Sequence, residues 1–304
     1  MRKILRKLVG KEEETETGTD GGERPLDPEL VGEYRTVLLT RATDERVREA
    51  GQDGGTTTAL LAHALDEGHV DAVVAAVKKN GWKPEPRIIT DPDELIEAAG
   101  SKYSISPNVS LLNEALAAHE SVAIVGTPCQ ITAVRKAQKY PYGLPDTDAV
   151  ALTVGIFCTE NFEYDNLLAL LKDMNVDIDD VERMDISKGK FIVLTKDGEE
   201  HTVPVKELGR YSNEACEYCT DFTAEEADVS VGSVGAPDGW NVLIVRTETA
   251  EELVQSAVEN DVLETKDPEE GNLNLVEKLS EDKKTRIQAS KCATWRPYHP
   301  NVPL

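Results

Sequence analysis

Short apolar runs bounded by turn residues recur along the chain from Tyr34 onward. Runs of about four to eight apolar residues of this kind are typical of buried strands. Two runs, 191–195 and 201–205, flank Lys196-Asp197-Gly198, which predicts a β-hairpin. The other predicted strands are 36–40, 70–77, 87–90, 122–129, 152–158, 229–231 and 242–245.

Amphipathic segments separate many of these runs and predict helices. Asp91, followed by Pro92 and with Glu94 at the third helical position, is a strong helix start. The other predicted helices are 44–50, 56–65, 107–119, 250–259 and 275–288. Strands that alternate with helices predict the mixed α/β (α+β) class, with a mainly parallel sheet and the added β-hairpin.

Composition divides the chain into four predicted parts. Residues 1–30 are charged and polar, so they cannot bury enough apolar surface to fold, and we expect a disordered tail. Residues 31–115 and 116–270 are predicted to form the N-terminal and C-terminal parts of one core. Residues 271–304 are predicted to hold a terminal helix and a tail.

The chain is strongly acidic: 57 Asp and Glu residues against 33 Lys and Arg residues give a net charge of −24. Such a field repels nucleic acid and anionic membranes, so we exclude both as partners. We expect no membrane span, because no apolar run approaches the ~20 residues that a span needs. With no apolar signal core near the N-terminus, the sequence predicts a cytoplasmic protein.

Four of the five cysteines occupy informative positions. Cys129 and Cys158 each end a predicted strand, and the carboxyl ends of parallel strands form the edge of a sheet where ligands bind. Cys216 and Cys219 form a CxxC pair, whose spacing lets two thiolates bind one metal or cluster. Four converging thiolates suit either a [4Fe–4S] cluster or a structural zinc ion, and isolated buried thiols are the plainer alternative.

Two glycine-rich segments are candidate cofactor loops. Residues 51–58 form a turn that opens a helix, where free amides and the helix dipole favour an anion such as a pyrophosphate. The residues alone favour a simpler interpretation, an ordinary tight turn capped by Asp53. Residues 232–240 predict a loop that wraps a ring system, with Trp240 shielding it from water, or a plain connection between two strands.

Lys102, Lys188 and Lys190 stand out against the acidic background. Surface lysines are usually solvated and nothing more. A chain of this charge nevertheless needs local cations wherever it binds an anionic cofactor. We therefore favour Lys102 and Lys190 for cofactor contacts.

A series of motifs runs in order through the chain. They are Gln52-Asp53-Gly54-Gly55 with Thr58, Gly100-Ser101-Lys102-Tyr103, Ser106-Pro107-Asn108, Pro128-Cys129-Gln130, Gly155-Ile156-Phe157-Cys158 with Glu160-Asn161-Phe162, Met184-Asp185-Ile186 with Lys188-Gly189-Lys190-Phe191, the CxxC pair, and Gly232-Ser233-Val234-Gly235 with Pro237-Asp238-Gly239-Trp240. This order resembles that of the beta subunit of coenzyme F420-reducing hydrogenase and of the related formate dehydrogenase beta subunit.

The resemblance implies an iron–sulfur flavoprotein that carries FAD and one [4Fe–4S] cluster and takes coenzyme F420 as its substrate. It implies that the cluster is held by Cys129, Cys158, Cys216 and Cys219, whereas Cys292 lies outside the matching region and is expected to be a spare thiol. The expected cofactor contacts are Gln52, Gly54, Gly55, Thr58, Lys102, Ser106, Asn108, Lys188, Lys190, Ser233, Gly235 and Trp240. No side chain is expected to be an obligatory acid or base.

Electron counting gives the expected function. A deazaflavin passes a hydride, whereas a [4Fe–4S] cluster passes single electrons, and FAD can do both. We expect an oxidoreductase subunit that passes electrons between coenzyme F420 and a partner redox subunit, which would be a hydrogenase, a formate dehydrogenase or a ferredoxin-type protein. The alternatives are a ferredoxin-linked flavoprotein that acts on another substrate and a zinc-stabilised interaction module without redox activity.

Overall fold

The computed structural model describes residues 25–140 and 148–289, with side chains through Arg286. Most of the predicted 1–30 tail and Cys292 therefore lie outside the described residues. Residues 25–30 are packed against the body of the protein, since Leu26 is buried and its backbone N–H and carbonyl both bond to the Tyr34 hydroxyl.

Two sheets organise the fold. The strands are β1 Thr36–Ala42, β2 Ala72–Lys78, β3 Pro84–Ile89, β4 Val122–Gly126, β5 Val150–Ile156, β6 Val181–Ser187, β7 Lys190–Thr195, β8 Glu200–Pro204, β9 Val229–Gly232, β10 Asn241–Val245 and β11 Leu263–Lys266. The large sheet has the order β11-β1-β10-β9-β5-β4-β2-β3, and the small one is β6-β7-β8. The large sheet is parallel from β2 through β4 and β5 to β9 and antiparallel on both flanks.

Helices cover both faces of the large sheet. The α-helices are α1 Pro28–Val31, α2 Glu45–Ala50, α3 Thr56–Asp66, α4 Leu112–Ala118, α5 Pro128–Lys139, α6 Tyr164–Asp173, α7 Glu248–Glu259 and α8 Leu273–Ala289. Short 3-10 helices lie at Asn80–Trp82, Pro92–Ala98, Asn108–Leu111, Ile178–Asp180, Val205–Arg210, Glu214–Tyr218 and Pro268–Glu270. No helix in the described ranges is both long and apolar enough to cross a membrane.

The apolar core has a layer on each face of this sheet. On one face, α3 and α7 contribute side chains such as Leu60 and Leu253 to a cluster with Leu243 of β10. On the other face, Val276 of α8 packs with Val242 and its neighbours. Each fully buried aliphatic side chain contributes roughly 1.5–3 kcal/mol, so the strands between the two layers form the rigid part of the molecule.

The small sheet packs beside the loops that follow the central strands. Phe191 of β7 is completely buried, and its ring meets the edges of Tyr103 at 5.2 Å and Phe162 at 6.3 Å between centroids. Leu167 and Leu171 of α6 complete this second core. The small sheet is therefore fixed against the segments around residues 103 and 162.

The mixed α/β class and the added hairpin are confirmed, and the differences are local. Residues 107–119 form a 3-10 turn followed by α4 instead of one α-helix, because the Asn108 side chain bonds to the carbonyl of Val125 at the end of β4. The segment opening at Asp91 is a 3-10 helix with the predicted aspartate cap. Strands β6 and β11 were not predicted, because charged and polar residues alternate through them.

Candidate functional site

The parallel centre of the large sheet brings two cysteines to one edge. Cys129 is the second residue of α5, which follows β4, and Cys158 lies just beyond β5. Strands β4 and β5 pair in parallel, with Gly126 opposite Gly155, so both cysteines leave the sheet at the same end. Cys129 lies in the first turn of this helix, and its side chain is exposed.

The CxxC pair lies against the Cys158 loop. Cys216 belongs to the 3-10 helix Glu214–Tyr218, and Cys219 caps that helix. The backbone N–H of Asn161 donates to Cys216 Sγ at 3.4 Å, and the backbone N–H of Cys158 donates to the carbonyl of Phe222 at 2.9 Å. These contacts tie the two cysteine segments together.

The four thiols are close enough to affect each other's ionisation. Burial raises the pKa of Cys158 to about 12, and the Lys283 ammonium opposes this rise. The negative charges of the other three thiolates, at Cys216, Cys129 and Cys219, raise the pKa of Cys158 further. Burial likewise raises the pKa of Cys216, again with Lys283 opposing. We call these four cysteines the thiol group. Within the described residues, no three His, Cys, Asp or Glu side chains are placed to hold one metal ion together.

A hydrogen-bond chain holds the loop that carries Cys129. The Thr127 backbone N–H donates to Gln130 Oε1 at 3.1 Å, and Gln130 Nε2 donates to the carbonyl of Ser106 at 2.6 Å. The Ser106 hydroxyl in turn bonds to Asn108 Oδ1 at 2.6 Å. Ser106 and Asn108, predicted as cofactor contacts, are thus buried and placed to position the cysteine loop.

A second cluster of polar side chains surrounds Asp53 in the first glycine-rich turn. Burial raises the pKa of Asp53, the Asp185 carboxylate raises it further, and the Ser233 hydroxyl and Arg183 lower it. Burial also raises the pKa of Tyr103, with Asp185 and Asp53 adding to the rise. We call Asp53, Tyr103, Arg183, Asp185 and Ser233 the Asp53 group.

The glycine turn is anchored on the small sheet. Gln52 Nε2 donates to the carbonyl of Met184 at 3.3 Å, and Arg183 Nη2 donates to the carbonyl of Gln52 at 2.6 Å. A Cβ at Gly54 would lie 2.7 Å from Asn241 Oδ1, and Gly55, at φ +70°, would place one 2.9 Å from the carbonyl oxygen of Val47. The protein's own packing therefore requires both glycines.

The helix that follows this turn has free donors. Gly55 caps α3 without a side-chain hydrogen bond, and the Thr56 N–H donates to Asn241 Oδ1 at 3.3 Å. The N–H groups of Thr57 and Thr58 have no acceptor in the part of the chain that the structure describes. Free donors at a helix N-terminus, with the helix dipole behind them, are groups to which an anion can bind.

The second glycine-rich loop contacts both groups. A Cβ at Gly232 would lie 2.1 Å from the ring of Phe157, whose chain neighbour is Cys158. Ser233, the next residue, belongs to the Asp53 group. Gly235 packs instead against the start of α8, and the buried Trp240 ring lies under Arg41 and Lys266, at 4.6 and 4.5 Å from its centroid.

The three candidate lysines differ in their surroundings. The Lys102 ammonium donates to the carbonyls of Ala98, Ala99 and Gly100, while burial lowers its pKa to about 7 and the charge of Lys78 adds to that effect. Lys188 and Lys190 are exposed at the turn between β6 and β7. The alternation of side chains along the strands places Lys190 on the same face of the small sheet as Asp185.

Two short paths connect the thiol group with the Asp53 group. One runs from Cys158 through Phe157 and Gly232 to Ser233. The other runs from Cys216 to Asn161 and Phe162, which pairs with the backbone beside Tyr103. The sequence-predicted segments of both groups therefore lie in one region, between the carboxyl edge of the large sheet and the small sheet.

The chain is similar to proteins of one family along most of its length. The sequence models of the coenzyme F420 hydrogenase/dehydrogenase beta subunit match residues 37–113 for its N-terminal part and 119–271 for its C-terminal part. The chain belongs to this family. It is 44% identical over 271 residues to the coenzyme F420 hydrogenase subunit beta of Methanothermobacter thermautotrophicus, covering 87% of this chain and 96% of that one. Proteins of this family are oxidoreductases.

Two further relatives show the kinds of protein in which a chain similar to this one occurs. A chain of the F420-reducing [NiFe] hydrogenase complex from Methanosarcina barkeri superposes with a TM-score of 0.83 and 39% identity, covering 87% of this chain and 93% of that chain. The coenzyme F420-dependent sulfite reductase of Methanocaldococcus jannaschii is 39% identical over 251 residues, which is 78% of this chain and 38% of that protein. The family unit therefore also occurs within a longer chain.

Sequence reasoning missed several residues of the site. Tyr103 and Asp185 lie inside the motifs but carried no assigned role, and the folding that brings them beside Asp53 is not visible in a sequence. Arg183 lay in a strand that was not predicted. Lys283 sits in a helix full of charged residues, so nothing in the pattern distinguished it from its exposed neighbours.

The raised pKa of Cys158 predicts slow alkylation in metal-free protein. At pH 8 a thiol with a pKa of about 12 is thiolate in only about one molecule in ten thousand, and the thiolate is the species that reacts. Iodoacetamide should therefore label the exposed Cys129 long before Cys158, and the rate at Cys158 should rise with pH. Peptide mapping by mass spectrometry measures both rates, with urea-unfolded protein as the control in which the difference disappears. Equal rates in the folded protein would contradict this assignment.

Proposed function

We propose that this chain passes electrons between coenzyme F420 and a partner redox subunit by way of FAD and one [4Fe–4S] cluster. The observation that carries the proposal is the short connection between the thiol group and the Asp53 group. Electron transfer needs its two centres close together, and these two groups meet in one region of the fold. Membership of a family named for coenzyme F420 supports the choice of substrate.

The thiol group fits an iron–sulfur cluster. Its cysteines come from three separate segments of the chain and lie close enough to influence each other's ionisation. A cubane gives each thiolate its own iron atom, so it does not require several sulfurs to meet at one ion. Cys129, Cys158, Cys216 and Cys219 would hold it.

The start of α3 fits the pyrophosphate of FAD. The N–H groups of Thr57 and Thr58 are free donors at a helix N-terminus, and the adjoining turn is fixed on the small sheet by Gln52. Ser233 and Asp53 line the neighbouring space. When bound, FAD would supply the exchange between a hydride and single electrons, and the cluster would supply one-electron transfer.

The exposed turn of the small sheet is the best candidate for binding the anionic part of coenzyme F420. Lys188 and Gly189 both have positive φ, at 50° and 75°, which makes a tight turn that projects into solvent. Lys190 follows it on the face that Asp185 shares. A cation there would offset the repulsion between a chain of charge −24 and a negatively charged substrate.

The names of two relatives support the proposal that this chain works together with a redox partner. The Methanosarcina barkeri chain belongs to an F420-reducing [NiFe] hydrogenase complex, and the Methanothermobacter protein is a hydrogenase subunit. We infer that this chain works in the same way, with a hydrogenase-type or other iron–sulfur subunit that exchanges single electrons with the thiol group.

Iron content tests the cluster. Protein purified or reconstituted without oxygen should hold about four iron and four sulfide per chain, because a cubane is bound by four thiolates. Replacing Cys129, Cys158, Cys216 or Cys219 by serine should lower the iron content, whereas Cys292→Ser is the matched control and should not. Stoichiometric zinc without iron would instead support the zinc-stabilised module.

Thr58→Glu tests the flavin site without weakening its helix. A glutamate at the third position of a helix favours the helix, but its charge would repel a pyrophosphate at the free N–H groups. FAD affinity should fall at least about tenfold, corresponding to about 1.4 kcal/mol, when measured by flavin fluorescence. Thr58→Gln has a similar size without charge and is the control. Equal FAD affinities for the two variants would exclude this pyrophosphate position, whereas Gly55→Asp would be uninformative because it disrupts the turn itself.

Reduced coenzyme F420 should bleach the bound flavin, while NADPH should do so slowly, since the chain has no GxGxxG fingerprint.

Lys190→Glu should raise the KM for coenzyme F420 about tenfold or more with a small change in kcat, because it removes an attraction common to the bound substrate and the transition state. Lys172→Glu, on the exposed side of α6, carries the same charge change and should leave the KM unaltered. An unaltered KM in Lys190→Glu would remove this residue from the substrate site.

A further inference from the structure

Lys283 is a buried lysine beside the thiol group. Only 2% of its surface is exposed, although it lies on α8, whose neighbouring charged residues face solvent. Its Nζ donates to the backbone carbonyl of Cys158 at 2.5 Å. Among the described residues, no carboxylate oxygen lies within 4 Å of this ammonium, so it is buried without a direct ion-pair partner.

Burying a charge in this way destabilises the folded protein unless something compensates the charge. One carboxylate in the neighbourhood is Asp221, whose pKa is raised by burial, with Arg246 and Lys283 among the groups that oppose the rise. Asp221 Oδ2 accepts the N–H of Glu225 at 3.0 Å, and Asp221 Oδ1 has no hydrogen-bond partner among the described residues. Lys283 therefore does not bond to Asp221, and its one hydrogen bond goes to a cysteine of the thiol group.

The electrostatic effect of Lys283 falls on the same residues. Its ammonium is fixed on the backbone carbonyl of Cys158, and Cys216 lies beside the same loop, where its Sγ accepts the backbone N–H of Asn161. Four thiolates that bind a cluster give that cluster a net negative charge, which grows when the cluster accepts an electron. An ammonium fixed at the edge of the cluster would be attracted more strongly to the reduced form than to the oxidised form.

We propose that Lys283 is the counter-charge of the cluster: a positioning residue that fixes the Cys158 loop through its hydrogen bond and raises the reduction potential through its buried charge. This inference rests on the proposed cluster and adds the residue that sets its potential. The part of the chain that carries this residue, α8, lies beyond the segment matched by the family models, which ends at residue 271.

The test compares Lys283→Met with Lys284→Met in full-length protein reconstituted with iron and sulfide. Methionine fills a similar volume without charge. Lys284, the adjacent residue of the same helix, bonds to Glu225 at 2.7 Å, so its replacement changes the net charge equally but at a different place. Iron content and the midpoint potential of the cluster, from a redox titration followed by electron paramagnetic resonance, are the two measurements.

We expect Lys283→Met to keep its iron but to need a potential lower by at least 59 mV for half reduction, which is a tenfold change in the oxidised-to-reduced ratio of a one-electron couple. Lys284→Met should stay at the wild-type potential. An unchanged potential in Lys283→Met, or an equal shift in Lys284→Met, would overturn the inference while leaving the cluster itself intact.

If Lys283→Met holds no iron, Lys283→Arg decides the matter. Arginine keeps the charge and the donor, so iron retained near the wild-type potential supports the counter-charge role, and loss of iron overturns it. A wild-type protein that binds no iron–sulfur cluster would overturn the proposed function itself, which separates that failure from a failure of this inference alone.

Discussion

Close contact between β5, β9 and the segments that follow them is the constraint on which the site depends. A Cβ at Gly155 of β5 would lie 2.1 Å from the Ala224 Cβ, and one at Gly232 would lie equally close to the ring of Phe157. Any larger residue would push these segments apart. Since Cys158 and Cys219 both lie on segments pressed together here, the two glycines determine whether the thiols can meet at all.

This explains why the parallel centre of the sheet matters more than its flanks. Strands β4, β5 and β9 run in the same direction, so the segments that follow them emerge together at one end. The antiparallel flanks, β10 with β1 and β2 with β3, widen the sheet and support the two core layers. Phe191 and its aromatic neighbours then bring the small sheet over the same end, which closes the region on its second side.

Positive side chains lie close to the candidate site although the chain as a whole is acidic. The surface carries most of the −24 charge, whereas single cations near the site are partly or fully buried. Arg246 is one such cation: burial lowers its pKa to about 10, while Asp221 and Glu225 oppose that change. Lys283 is another, and Lys102 satisfies three backbone carbonyls. Cations that are partly or fully buried thus lie close to the region where anionic groups are proposed to bind.

The sequence was sufficient for the strands that lead to Cys129 and Cys158, because an apolar run that ends in a turn is a local signal. The two strands end at residues 126 and 156, short of the predicted 129 and 158, and Cys129 lies in the helix that follows. It was not sufficient for β6, because charged residues interrupt its apolar ones, and two of them, Arg183 and Asp185, belong to the Asp53 group. The glycines at 54 and 55 were noticed for a ligand. Contacts with Asn241 and Val47 also restrict these positions, and the Asn241 contact joins residues far apart in the chain.

Ser106 and Asn108 are a second case in which the sequence did not show what a residue contacts. Their polar side chains looked like ligand donors, and the structure uses them to hold the loop of Cys129 through Gln130. The residues of such a motif can therefore position the loops of a site, and need not all touch the bound group. A side chain such as Lys283, which is proposed to act on a bound group through its charge, cannot be found from a sequence motif. Lysine is common on protein surfaces, and only the burial of Lys283 beside the thiols gives it an electrostatic role.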